Sequence, residues 1–135
     1  MHLVAQEAGL VYILLLAPLV LYLSLVWFLK CSTPLMVVMS GSMEPTLRKG
    51  DLIVVSGRHP LNPIVGNIIV YKSTGGRNTI HRVIGLTQVG ERIQLKTRGD
   101  AHQYSDIELV ECEDVVGKMV FRFPLLGYPF YVIKR

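Results

Sequence analysis

The chain opens with one long apolar stretch: Ala8 to Leu29 runs 22 residues without a charge. Coiled as a helix, a segment of that length spans roughly 33 Å, enough to cross a hydrocarbon layer of about 30 Å. Pro18 near its middle would kink a soluble helix but is tolerated in a membrane span. Trp27, Phe28 and Lys30 mark an exit from the bilayer, and Tyr22 suits an anchoring role. A cleavable secretory signal would have a basic start, a shorter apolar run and a small-x-small exit. Here Phe28, Leu29 and Lys30 precede Cys31, which also speaks against a lipid-modified cysteine. The pattern predicts a short tail at 1–7 and a retained transmembrane anchor at 8–29; a buried core helix is the competing reading.

From Ser32 onward the rhythm changes to short Val- and Ile-rich runs divided by Gly, Pro and Asn, which are strand and turn signals. Strands are predicted at Leu35–Val38, Leu52–Val55, Ile68–Tyr71, Thr79–Ile84, Arg92–Thr97 and Val115–Phe123. The loop from Ser73 to Asn78 reads as a hairpin connection. No long stretch keeps a 3.6-residue apolar period, so 30–135 is expected to be a mostly β domain with an antiparallel sheet. The tail from Phe123 to Tyr131 is apolar and aromatic but is interrupted by Pro124 and Pro129. It suits a segment that rests on the membrane surface, covers a sheet edge or packs into the core.

Composition narrows the classes. At 135 residues, half of them apolar, the chain holds one folded domain and carries too much apolar area to stay disordered. Residues 30–135 hold 14 basic and 9 acidic side chains, a formal +5, which gives a mild attraction for anionic headgroups. The basic residues are scattered among the strands instead of forming a stripe, which argues against nucleic-acid binding. Cys31 and Cys112 make neither a disulfide framework nor a metal knuckle.

Three stretches carry candidate chemistry. Ser40-Gly41-Ser42-Met43-Glu44-Pro45 follows an apolar run, so a hydroxyl leaves a strand into a Pro-limited turn where backbone amides converge. Attack on a carbonyl needs such donors for the oxygen that gains charge, although Ser-Gly-Ser is also a common loop. His81 lies inside a predicted strand. With a reference pKa near 6.5, a histidine can take a hydroxyl proton and return it to a leaving amine, although many strand histidines are structural. The stretch from Thr97 to Asp106 adds Asp100 and Asp106, either able to orient an imidazole or simply to cap local amides.

Together these blocks, SGSMEPTLRKGD at 40–51, GNIIVYK at 66–72, NTIHRVIG at 78–85 and TRGDAHQYSD at 97–106, resemble type I signal peptidase in its archaeal and endoplasmic-reticulum branch. They occur in the family's order behind one N-terminal anchor. The resemblance implies Ser42 as nucleophile, the Ser42 amide and the Ser40 hydroxyl as an oxyanion hole, and His81 as base where the bacterial branch has lysine. It also implies two aspartates, of which Asp106 is expected to complete the triad and Asp100 to be structural. The family often reads GDNN where this chain has Gly99-Asp100-Ala101-His102, which makes His102 a decoy for His81.

The implied function is a membrane-bound serine endopeptidase that removes signal peptides from exported preproteins, cutting after small residues. It requires no metal and no organic cofactor. Expected partners are signal peptides of secretory preproteins, the lipid bilayer and the translocation machinery, with no nucleic acid. The chain would sit in the cell membrane as a single-pass protein with its catalytic domain on the extracytoplasmic side, in an archaeal host. Charge counting disagrees: no Lys or Arg precedes the anchor, while Lys30, Arg48 and Lys49 follow it, which by itself would put the β domain in the cytoplasm. The motif set overrides that rule, which is weakest for long translocated domains. The alternatives are a membrane-tethered, non-catalytic binding or scaffold module and a self-cleaving protease of the repressor type. The latter pairs serine with lysine and is usually soluble.

Overall fold

The computed structural model describes residues 2–58 and 64–135. Helix α1 (His2–Leu29) is followed by strands β1 (Leu35–Val37), β2 (Leu52–Ser56), β3 (Ile68–Lys72), β4 (Asn78–Val89), β5 (Arg92–Arg98), β6 (Val110–Glu111) and β7 (Val115–Phe123), and then by helix α2 (Tyr128–Lys134). Among the described residues the strands form one seven-stranded sheet in the order β1-β2-β7-β3-β4-β5-β6, and every pairing is antiparallel. All six predicted strands are present. The two-residue β6 and the seven-residue α2 are additions, too short to show a hydrophobic period.

Helix α1 contains a stretch, Glu7–Leu29, long and apolar enough to cross a membrane, and along it only the C-terminal end, at Leu29, is buried against the rest of the chain. The helix ends where Lys30 adopts a left-handed backbone (φ 48°) and the Cys31 N–H reaches back to the Val26 carbonyl, a Schellman closure that satisfies an orphan carbonyl. Two further terminal carbonyls are met from the far end of β2. The Gly57 N–H donates to Leu29 O at 2.9 Å, and the Arg58 guanidinium donates to Phe28 O while lying 4.4 Å from the Phe28 ring centre. A Cβ at Gly57 would stand 2.3 Å from Lys30 O, so only glycine permits this approach. Leu29 and Cys31 are buried in the core with Met43, Leu47 and Ile53. The helix therefore joins the sheet through a hydrogen-bonded, packed junction.

Alternation along the strands divides the core between the two faces of the sheet. One face carries Ile53, Val55, Ile68 and Val70 together with Met43 and Leu47. The other carries Ile69, Tyr71, Val83, Leu95, Val110 and Val115. Each such side chain contributes about 1.5–3 kcal/mol when removed from water. The tail covers a sheet edge: a Cβ at Gly127 would stand 2.7 Å from the Val37 side chain, and one at Gly50 would stand 2.7 Å from Tyr128. Two glycines thus let α2 lie against edge strand β1 and the turn before β2.

Asp51, fully buried, ties that corner together. Its carboxylate accepts the Arg48 N–H at 2.9 Å and the Leu125 N–H at 3.0 Å, and Arg122 Nε lies 2.8 Å away. Burial alone pushes this carboxyl up, but the two amides and the Arg122 charge outweigh it and hold it below the usual carboxylate value. A carboxyl depressed in the folded state contributes stability above its unfolded pKa and loses that contribution as the pH falls through the folded one. The thermal unfolding midpoint is therefore expected to hold steady above about pH 5 and to fall below it. Asp51→Asn should cost roughly 3 kcal/mol at neutral pH and flatten the acid slope, as read by thermal scans in detergent at stepped pH.

Candidate active site

His81 enters from β4, where the register sets it opposite Ile69 and alternation puts it on the same face as Tyr71, Val83 and Thr97. It is 8% exposed. Its Nδ1 lies 2.6 Å from Asp106 Oδ2. The same carboxylate oxygen accepts the Thr97 hydroxyl at 2.7 Å and the Tyr71 hydroxyl at 3.4 Å, while the Asp106 N–H donates to Thr97 O at 2.8 Å. Burial, with the Asp106 charge adding to it, raises the Tyr71 phenol above its ordinary value against the opposing Thr97 hydrogen bond, so it stays a donor at neutral pH. With Nδ1–H committed to Asp106, the imidazole presents Nε2 as an acceptor.

Ser42 arrives from the turn after β1. Its hydroxyl lies 3.2 Å from that of Ser40, and its own N–H makes no hydrogen bond among the described residues. Its carbonyl accepts the Ala101 N–H at 2.9 Å, which binds the serine turn to the Gly99–His102 loop. A Cβ at Gly99 would stand 2.5 Å from Ser42 O and 3.1 Å from both His81 Nε2 and His102 Nδ1. The bare glycine is what lets serine and histidine converge. The Ser42 hydroxyl pairs with Ser40 and not with the His81 ring; such bonds often tighten only when substrate is bound. Gly99→Ala is expected to lower stability by about 1–3 kcal/mol and the turnover rate by about a hundredfold, measured by thermal scan and peptide cleavage respectively.

Asp100 stands apart from the imidazole. It forms a two-point pair with Arg82, Nε to Oδ1 at 2.8 Å and Nη2 to Oδ2 at 2.6 Å, and accepts the Thr46 hydroxyl at 2.6 Å. The Arg82 bonds, foremost, and then Thr46 hold its carboxyl below the ordinary value despite burial. Arg82 also donates to Gly66 O at 2.8 Å, so this network clamps the serine turn to β4. His102 is exposed and stands edge-on to His81, with ring centres 6.0 Å apart.

The structure thus brings Ser42 and His81 together at Gly99, with Ser40 beside Ser42 and Asp106 on His81 Nδ1, and ties Asp100 to Arg82 and Thr46 instead. Tyr71, Thr97, Arg82 and Thr46 are site residues that the sequence reading passed over. The signal for the first two was there, because strand alternation puts Tyr71 and His81 on one face and Thr97 lies in the same block as Asp106. Beside Ser42 runs a groove of about 640 Å³, lined by Leu35–Met39, Thr79, Ile80 and by Phe130 and Lys134 of α2. Strand β5 pairs with β4 only from Arg82 onward, which leaves the Asn78–His81 edge without a strand partner on that side among the described residues.

Comparison with known proteins points the same way. The family described as Signal peptidase, peptidase S26 matches residues 9–107. The chain is similar to the Signal peptidase complex catalytic subunit SEC11 of Metarhizium robertsii, at 35% identity, and to that of Metarhizium acridum, at 36%. It is 37% identical to the Signal peptidase complex catalytic subunit sec11 of Sclerotinia sclerotiorum. Each match covers 71% of this chain, which spans 61% of the length of these relatives. They are fungal and lend no support to the archaeal host expected from the sequence.

Proposed function

The chain belongs to the signal peptidase family, peptidase S26, and from that premise we propose that it is a membrane-bound serine endopeptidase which removes signal peptides from preproteins after small residues. The observation that carries this reading is the approach of the Ser42 carbonyl and His81 Nε2 to one point beside Gly99, which sets the serine turn next to the imidazole, with Asp106 at 2.6 Å from its Nδ1. Ser42 Oγ attacks the scissile carbonyl while His81 Nε2 takes its proton; His81 then returns the proton to the leaving amine. Asp106 holds the ring in the required tautomer and stabilises its charged form. The free Ser42 N–H and the Ser40 hydroxyl receive the developing oxyanion.

The groove beside β1 and the unpaired edge of Asn78–His81 suit an extended peptide added as a strand, with backbone hydrogen bonds setting its register. Residues 8–29 act as the anchor and 30–135 as the catalytic domain on the extracytoplasmic or lumenal side. Sharing a bilayer with the substrate's own apolar segment raises the effective concentration of the encounter. By analogy with the subunits it resembles, the chain works within a membrane assembly close to the translocation machinery.

The test is cleavage by the purified chain in detergent of a precursor with an Ala-x-Ala exit. The expected product begins at the residue after the second Ala. A precursor left intact, or one cut with equal ease when bulky residues replace both alanines, would overturn the reading.

A further inference from the structure

The position of His102 goes beyond this mechanism. Its Nδ1 and the Nε2 of His81 both lie 3.1 Å from the point where a Gly99 Cβ would be, and the Ser42 carbonyl oxygen lies 2.5 Å from it, so two nitrogens and one oxygen line a single gap. One donor atom each from His81, His102 and Asp106 lie within 4.8 Å of one another. Asp106 is bonded to the opposite nitrogen of His81, the carboxylate–histidine arrangement that orients a metal-binding imidazole and raises its basicity. His102 is exposed, and an open cleft lined by Tyr71, His102, Tyr104 and Asp106 reaches it from solvent.

We propose that His81 and His102 form a two-imidazole site for a divalent borderline cation, zinc in particular, and that filling this site shuts down the protease. Zinc binds imidazole nitrogen at about 2.0–2.1 Å, so the site closes on the cation by rotation of His102, whose ring is exposed. Water, and the Ser42 carbonyl oxygen that lines the same gap, supply the remaining ligands. The cation occupies the lone pair that must receive the serine proton, so bound zinc and a working base exclude each other. Magnesium and calcium, which prefer oxygen ligands, leave the enzyme active.

The inhibitory half of this inference rests on the peptidase reading, so its test has a readout independent of activity. Tag-free protein in detergent, freed of metal with a chelator, is titrated with zinc during precursor cleavage and with cobalt by visible absorption. His102→Asn is expected to keep the zinc-free rate while raising the zinc concentration for half-inhibition by about tenfold or more, on the scale seen when a partner in a metal site is lost. A tetrahedral cobalt band should appear in the parent chain and in Ser42→Ala, and should vanish in His102→Asn. Equal zinc sensitivity with and without His102, or a cobalt band that survives its removal, overturns the inference. Cobalt binding that depends on His102 in a chain that cuts no precursor would overturn the peptidase reading and leave the metal site standing.

Discussion

Ser42→Ala is expected to abolish precursor cleavage, with kcat falling on the order of 10⁶-fold, the loss typical when a serine nucleophile is removed. His81→Ala should fall by a similar factor, because an unassisted hydroxyl at neutral pH is a weak nucleophile. The double variant should be no worse than either single one, since the two side chains act as one unit. Neither change should alter the fold: Ser42 is partly exposed at a turn, and truncating His81 leaves the Thr97 and Tyr71 hydroxyls on Asp106. A cooperative thermal transition kept in both variants beside lost cleavage would establish a catalytic pair. Unchanged cleavage in either variant would return the chain to the scaffold class.

Asp106→Asn is expected to reduce kcat by about 10⁴-fold with little effect on KM, the result of leaving the imidazole in the wrong tautomer. The amide retains the shape of the carboxylate but cannot anchor Nδ1–H with a negative charge. Asp100→Asn should behave differently. It weakens a charged two-point pair with Arg82 and the hydroxyl bond from Thr46, so the serine turn loosens from β4. We expect it to cost roughly 1–3 kcal/mol of stability and to have a smaller effect on rate, felt through misplacement of Ser42. Kinetics and thermal scans on the two variants side by side separate the roles, and equal small losses in rate would refute the assignment of Asp106.

Three close approaches that a side chain would block support the site. Gly57 brings the end of α1 against the end of β2, Gly99 lets Ser42 O and His81 Nε2 approach the same point, and Gly127 seats α2 on β1. Helix α2 also supplies Phe130 and Lys134 to the lining of the groove, so the segment that covers the sheet edge also bounds that space.

Much of this was legible along the chain. A run of 22 uncharged residues can form a membrane-length helix whatever its surroundings, because its length and its burial of backbone groups are local properties. The six main strands announced themselves by alternation and turn residues, which are likewise local. The serine, histidine and aspartate candidates stood in recognisable blocks, so their identity was written in the sequence. Their division of labour was not: Asp100 and Asp106 are both acids in one loop, and only the folded chain sends one to Arg82 and the other to His81. The same holds for α2 on its edge strand and for His102 beside His81. Those relations depend on register and on which backbones approach closely enough to require glycine. Such contacts link residues tens of positions apart, and no pattern of neighbours along the chain encodes them.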